Sequence, residues 1–175
     1  MQKEQDTKMA MEIERKFLLE QYPQSLIDRG ELVVLSEQRI HQTYLAIDDS
    51  QEIRVRQIED LDGGSLSYTH TFKNGNGLAR EEVEVDITQS IYEQMVNAFG
   101  YVPLTKNRVT AEWNGVRVEI DVYDQIRLAV LEVEFDSMEE AEAFAAPAWF
   151  GRDISSERQY SNKTVWRQLQ ANRPD

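Results

Sequence analysis

The sequence predicts an α+β fold dominated by one antiparallel β-sheet or barrel. About eight segments alternate apolar and polar residues with the two-residue period of a β-strand. Tight-turn signals such as Asp62-Gly63-Gly64 and Asn114-Gly115 separate neighbouring segments, which is typical of antiparallel hairpins. Only three or four segments have a helical pattern, and each follows a strand. This arrangement indicates helices added to an antiparallel sheet rather than a βαβ fold.

The composition fits one globular domain with an internal site for a small ligand. The chain has 175 residues, of which 41% are hydrophobic and 29% are charged. We expect a disordered tail over 1–10 and a single domain over 11–171. The absence of cysteine excludes disulfides and thiolate metal sites. A net charge of −13 disfavours a nucleic-acid partner, and the absence of a long apolar run disfavours a membrane partner. The lack of cysteine is compatible with the cytosol, so a cytoplasmic location is expected, with a homodimer as one possible assembly.

The first half of the chain is predicted to contain five strands and one short helix. The opening strand covers 12–17, and a helical turn follows Pro23 and ends at Gly30. β-Branched and aromatic residues then mark extended segments. These further strands are predicted over 32–47, 52–56, 66–73 and 78–87.

The second half is predicted to alternate helices with three more strands. A helix over 91–99 carries a capping box of Ser90 with Glu93, and Gly100 is a natural stop. Ser137 with Glu140 predicts a short acidic helix, and a terminal helix is expected over 160–170. The strands are predicted over 104–113, 116–123 and 129–136. The three tryptophans are expected to pack helices onto the outside of the sheet.

Like charges recur two residues apart on one face of most predicted strands. Glu12 and Glu14 begin the series, and Arg54 and Arg56 continue it. Like charges on one face of a sheet repel one another, so repeated pairs indicate that a polyanion or divalent cations neutralise them. Two interpretations remain open from the residues alone. One is a closed barrel with a charged lumen and an apolar exterior covered by helices, and the other is an ordinary sheet with one solvated face.

These residue types suit metal-assisted phosphoryl chemistry. Carboxylate oxygens are hard ligands that favour Mg²⁺ or Mn²⁺, and Lys and Arg neutralise a transferring phosphoryl group. The chain has no Walker A motif, no HExxH and no nucleophile elbow. With no cysteine and with His41 and His70 unmatched, a covalent phosphoenzyme is not favoured. A metal-activated water attacking a terminal phosphate fits the residues better.

The segment EIERKF over 12–17 resembles the ExExK signature of the CYTH superfamily, the triphosphate tunnel metalloenzymes. The resemblance extends in order along nearly the whole chain. The other matching segments are RVR at 54–56, TFK at 71–73, REEVEVD from Arg80, KNR at 106–108, EID at 119–121, EVE at 132–134 and YSNK at 160–163.

This resemblance implies an eight-stranded antiparallel barrel, or tunnel, with a charged lumen and a few helices outside, which binds a triphosphate with Mg²⁺ or Mn²⁺. The implied metal ligands are Glu12, Glu14, Glu119, Glu132 and Glu134. The implied triphosphate-binding residues are Lys16, Arg54, Arg56, Lys73, Lys106 and Arg108. The implied catalytic residues are Glu14, Lys16, Glu82, Glu84 and Asp121. Arg80, Arg117, Arg158 and Lys163 either join the phosphate contacts or balance charge, and Arg15 is expected to face outward.

The motifs shared across the superfamily do not separate its activities. A compact chain with a plain EIERKF start is most similar to the small bacterial members that resemble inorganic triphosphatases. We therefore expect hydrolysis of tripolyphosphate to pyrophosphate and phosphate. The alternatives are a class IV type adenylyl cyclase that makes cyclic AMP from ATP, a thiamine triphosphatase, and a non-catalytic sensor of polyphosphate or nucleotide.

Overall fold

The computed structural model describes residues 8–172 and shows a closed eight-stranded antiparallel β-barrel with helices outside the strand wall. The α+β prediction is therefore confirmed, and the barrel is favoured over the open sheet. The neighbour order around the barrel is β5-β4-β3-β2-β6-β7-β8-β1, with β1 also paired to β5. The strands are β1 Lys8–Leu18, β2 Leu32–Ile47, β3 Gln51–Asp60, β4 Leu66–Asn74, β5 Ala79–Asp86, β6 Leu104–Trp113, β7 Val116–Tyr123 and β8 Ala129–Phe135.

Strand β1 closes the barrel by pairing with a different strand along each half. Its first half pairs with β5, where Glu12 lies opposite Arg80. Its second half pairs with β8, where Lys16 lies opposite Glu132. A two-residue strand β9, Arg152–Asp153, also pairs with the end of β1. The first described strand therefore joins both sides of the sheet.

The predicted hairpin turns connect the strands, and the sharpest one shows why its sequence is suited to it. Asn114 and Gly115 lie between β6 and β7 with φ of 48° and 76°. Two consecutive residues of positive φ match the twist of an antiparallel hairpin, and Asn and Gly tolerate that conformation best. This turn fixes the register that places Arg108 opposite Asp121.

The helices occur where they were predicted, with small differences at their ends. They are α1 Gln24–Asp28, α2 Gln89–Phe99, α3 Met138–Ala143 and α4 Asn162–Ala171. Helix α2 begins earlier than expected, because Thr88 rather than Ser90 is the N-cap and its hydroxyl accepts from the Ile91 N–H. Ser137 caps α3 as predicted, accepting from the Glu140 N–H.

Two of the three buried apolar clusters of the described residues lie outside the barrel wall. Phe17, Leu131 and Phe150 belong to one buried cluster, which α1 covers through Leu26 and Ile27. A second cluster joins Val55 and Tyr68 on the wall to Tyr92 on α2. Burial of these apolar faces stabilises the barrel from outside and leaves the interior free for polar side chains.

Helix α4 differs from the others because it covers one end of the barrel. Its Val165 and Trp166 pack with Tyr44, Leu104 and Tyr123. Tyr44 lies opposite Arg54 across β2 and β3, so its side chain is on the luminal face. The expectation that Trp113 and Trp149 pack on the exterior is met, since both contact the outer cluster. Trp166 instead packs at the end of the lumen.

The predicted tail over 1–10 overlaps β1 by three residues. Residues 8–10 pair with β5, and the rest of that stretch lies outside the described residues. Within 8–172, no helix has the length and apolar character needed to cross a membrane.

Candidate active site

The interior of the barrel contains two adjoining cavities. The larger is about 440 Å³ and reaches α4, while the smaller is about 200 Å³ and lies deeper among the charged doublets. Five side chains line both cavities and join them: Glu14, Arg54, Lys73, Glu132 and Asn162.

The barrel brings almost all of the predicted site residues to these cavities, because alternation along each strand places every second side chain inside. The predicted residues that line one or both cavities are Glu12, Glu14, Lys16, Arg54, Arg56, Lys73, Glu82, Glu84, Lys106, Arg108, Glu119, Glu132 and Glu134. Asp121 is the exception, since it lies fully buried behind the wall of charged groups. Arg80, Arg158 and Lys163 line the larger cavity, whereas Arg117 is exposed and lines neither.

Lysine 73 is the centre of one group of ion pairs in the lumen. Its Nζ lies 2.8 Å from a Glu12 oxygen and 3.3 Å from a Glu82 oxygen. The pairing with Lys73 holds the pKa of Glu12 well below its usual range, although burial acts in the opposite direction. Burial and a hydrogen bond with Glu12 raise the pKa of Glu82 to about 7. Of the two carboxyl groups, Glu82 is therefore the one that exchanges a proton near neutral pH.

A second group of ion pairs is built on Asp121. Its oxygens accept from Lys106 Nζ at 2.7 Å and from Arg108 Nε at 2.7 Å. Arg108 also lies 2.7 Å from Glu119. Lys106 is 1% exposed and burial lowers its pKa to about 8, an effect that the contact with Asp121 opposes. Asp121 thus holds two bases in place from behind rather than reaching the cavity itself.

Two buried guanidinium groups have donors without a partner. Arg54 and Arg56 are only 6% and 7% exposed, and the Nε of each has no hydrogen-bond acceptor among the described residues. Arg56 also lies 3.3 Å from Glu84, and burial together with the neighbouring Arg54 lowers its pKa to about 10. Buried donors without acceptors are costly, so these two groups indicate an anionic ligand in the lumen.

Carboxylates of neighbouring strands face one another on the part of the barrel wall formed by β1, β7 and β8, which we call the acidic wall. Glu14 is directly opposite Glu134 on β8, and Glu119 on β7 is directly opposite Glu132. The side-chain carboxylates of Glu14 and Glu134 make no hydrogen bond and no ion pair with a described residue. Burial, Glu132 and Glu12 together raise the pKa of Glu14 to about 8. Like charges opposite one another destabilise a sheet, so this wall lacks a counter-charge.

The chemistry of this wall fits a divalent cation. Carboxylate oxygens are the ligands that Mg²⁺ and Mn²⁺ prefer. In the conformation described for residues 8–172, no three acidic or histidine side chains are grouped closely enough to enclose an ion. The uncompensated Glu14–Glu134 pair nevertheless provides adjacent oxygen donors in need of positive charge.

Sequence reasoning missed several lining residues, of which two are the most informative. Glu52 is 5% exposed and forms an ion pair with Arg80 in the larger cavity. Its position two residues before Arg54 on an alternating strand is a signal that could have identified it. Asn162 lines both cavities and accepts a hydrogen bond from the Tyr123 hydroxyl. It begins α4, and strand alternation carries no information about it.

Arg15 faces outward, as expected from its odd position in β1. Its Nη1 donates to the carbonyl oxygens of Ala141 and Phe144 at 3.0 and 2.7 Å, and its Nε donates to Asp153. It therefore ties α3 and β9 to the back of the strand that carries Glu14 and Lys16.

Comparison with known proteins identifies the same family that the sequence motifs indicate. The profile of the CYTH domain matches residues 10–166. The chain is 34% identical to the inorganic triphosphatase of Nitrosomonas europaea, over 88% of this chain and 95% of that protein. It is 23% identical to the inorganic triphosphatase of Acetivibrio thermocellus, over 90% and 94%. The crystal structure of the inorganic triphosphatase NE1496 is similar with a TM-score of 0.60 and 31% identity, covering 94% of this chain and 97% of that one.

Proposed function

Because the chain belongs to the CYTH domain family, we propose that it is a triphosphatase that hydrolyses inorganic tripolyphosphate to pyrophosphate and phosphate. Two relatives that span nearly its whole length are inorganic triphosphatases, one of them 34% identical. The substrate lies within the barrel, in the cavities lined by the charged doublets.

The observation that carries this proposal is the pair of buried guanidinium groups without acceptors. Arg54 and Arg56 each have an Nε that no described residue satisfies. A triphosphate offers many oxygen acceptors at the spacing of neighbouring side chains, and guanidinium groups bind such oxygens in pairs. Lys16, Lys73 and Arg108 complete the binding group by each exchanging a glutamate partner for a phosphate oxygen. Lys106 joins them while Asp121 continues to hold it in place.

The acidic wall is the proposed metal site, with Mg²⁺ or Mn²⁺ as the cation. Its ligands are drawn from Glu12, Glu14, Glu119, Glu132 and Glu134. A bound divalent cation would neutralise phosphate charge and lower the pKa of a bound water. The CYTH triphosphatases depend on a divalent metal. In this chain the uncompensated Glu14–Glu134 pair provides carboxylate oxygens that could bind it.

The other luminal acids are proposed to handle the proton and to position the bases. Glu82, with a pKa near 7, accepts the proton of the attacking water, because a general base is most effective when its pKa is near the working pH. Glu84 orients Arg56 through their ion pair. Asp121 acts through Lys106 and Arg108, so it is a positioning residue and not a group that touches the substrate.

One assay tests the substrate directly. Purified protein is given Mg²⁺ or Mn²⁺ with tripolyphosphate, ATP and thiamine triphosphate in parallel, and the products are identified. Pyrophosphate and phosphate from tripolyphosphate, at the highest kcat/KM of the three substrates, are expected. Cyclic AMP as the main product would replace the proposal with an adenylyl cyclase. No turnover, with tripolyphosphate still raising the melting temperature, would indicate a non-catalytic sensor. A cytoplasmic location, a homodimer and the lack of nucleic-acid or membrane partners stay predictions.

A further inference from the structure

The larger cavity reaches the surface beside α4, where exposed polar and charged side chains line its opening. Asp48, Asp49 and Asn76 on two loops are exposed and line it, as does Arg167 on α4. This opening is therefore a route from solvent to the phosphate-binding residues, since Arg54 lines both this cavity and the deeper one.

Three cations at this opening lack a direct partner. The side chains of Arg158, Lys163 and Arg167, which we call the basic rim, make no hydrogen bond and no ion pair within 4 Å with any described residue. Solvated Lys and Arg are common on protein surfaces, so their lack of partners alone decides little. Their convergence on one cavity is the informative point, because the chain as a whole has a net charge of −13.

The two cavities also differ in the sign of their charge. Seven Lys or Arg and six Asp or Glu side chains line the larger cavity, whereas five and seven line the smaller one. Two acids at the opening of the larger cavity already have partners. Asp48 accepts hydrogen bonds from the Ser50 and Gln51 N–H groups, and Glu157 forms an ion pair with Arg152. The N-terminal end of α4 adds a partial positive charge on the same side.

We propose that the triphosphate enters the barrel through this opening and that the basic rim accelerates its entry by long-range attraction. The inference rests on the proposed function, because it concerns how that substrate reaches its site. Charges lining the mouth of a low-dielectric cleft can raise association rates of a charged ligand by about 10- to 10³-fold at low ionic strength. Rim residues that act in this way change the capture of the substrate and leave its turnover alone.

The test compares a triple variant, Arg158→Gln with Lys163→Gln and Arg167→Gln, with the matched control Arg117→Gln. Arg117 is exposed, has the same charge and lines neither cavity. For tripolyphosphate at low salt, we expect kcat/KM of the triple variant to fall about 10-fold with kcat unchanged, and the difference to shrink as salt screens the charges. The control should match the parent protein.

Two further variants keep the test decisive. Asp49→Asn removes an exposed acid from the same opening, so kcat/KM should change in the opposite direction, upward by about twofold at low salt. Arg167→Gln alone, at an exposed helix position, tests the rim if the triple variant melts at a lower temperature. An unchanged kcat/KM and salt dependence in these variants, or an equal loss in the Arg117 control, would overturn the proposal. A parent protein without triphosphatase activity would instead refute the proposed function.

Discussion

Replacing Glu14 with glutamine should stabilise the metal-free protein at high pH, although it removes a residue of the proposed metal site. Glu14 is buried beside Glu132 and Glu12, and its pKa is raised from 4.5 to about 8. Because the folded state holds this proton more tightly than the unfolded chain, the contribution to stability is full below about pH 4.5 and is lost as the pH rises through about 8. At pH 9 the parent protein carries an uncompensated buried carboxylate, whereas the variant does not.

The size of this effect follows from the shift in pKa. One pKa unit corresponds to about 1.36 kcal/mol. The raised pKa of Glu14 should therefore lower the unfolding free energy of the parent protein by on the order of 4 kcal/mol between pH 5 and pH 9. At pH 5, close to the ordinary pKa of 4.5, most of this contribution is still present, so the two proteins should be about equally stable. The difference in unfolding free energy between variant and parent should therefore grow with pH in the presence of EDTA.

Urea unfolding at pH 5 and pH 9 with EDTA measures this difference. Glu84→Gln is the control, because Glu84 also lies in the lumen but has Arg56 as a partner, so its loss should not stabilise the protein at pH 9. Saturating Mn²⁺ should reverse the order at pH 9, since a ligand that binds the folded state stabilises it. A Glu14→Gln variant whose stability relative to the parent is the same at both pH values would refute the reasoning.

Three further predictions concern proton transfer, buried charge and backbone space. If Glu82 is the general base, kcat/KM of the parent protein should rise with pH up to about 7, as the carboxyl group loses its proton. Glu82→Gln should lower kcat by about 10²- to 10⁴-fold and abolish this rise, and a retained rise would exclude Glu82 as the base. Asp121→Asn should cost about 3 to 5 kcal/mol in urea unfolding, because it leaves the buried Lys106 without its closest carboxylate and removes one partner of Arg108. Asp124→Asn, at a half-exposed ion pair, should cost under about 1 kcal/mol, and equal losses in the two variants would contradict this reasoning. Gly151→Ala should destabilise by more than about 2 kcal/mol, since its Cβ would lie 2.0 Å from the Leu18 carbonyl oxygen at a φ of +84°, and a normal melting temperature would be inconsistent with that close approach.

Strand alternation predicted the luminal face well because it depends only on the two-residue period. It placed Glu14, Arg54 and Lys106 inside and Arg15 outside, and the structure agrees on each. Alternation gives the side of a sheet but not the depth within it. Asp121 was therefore expected in the cavity with its neighbours, whereas the bases above it bury it completely.

Features that depend on tertiary packing were beyond the reach of the sequence pattern. The apolar stripe of α4 shows that Trp166 must be covered, but not whether an outer face or the end of the lumen covers it. Asn162 joins the site only because α4 lies across that end. At the start of α2, Thr88 and Ser90 both suit an N-cap, and the hydrogen bond that selects Thr88 is a property of the folded loop.

The double pairing of β1 makes assembly of the site and closure of the barrel one event. Glu14 on β1 pairs across to Glu134 on β8, a partner 120 positions later in the chain. Contacts between such distant segments form late and slow the folding of a domain. Until β8 has formed, β1 leaves the sheet with open edges, and the carboxylates of the two strands remain apart. A nascent or partly unfolded chain therefore holds the acidic and basic residues in solvent, and a drop in affinity for triphosphate should report barrel opening before the outer helices unfold.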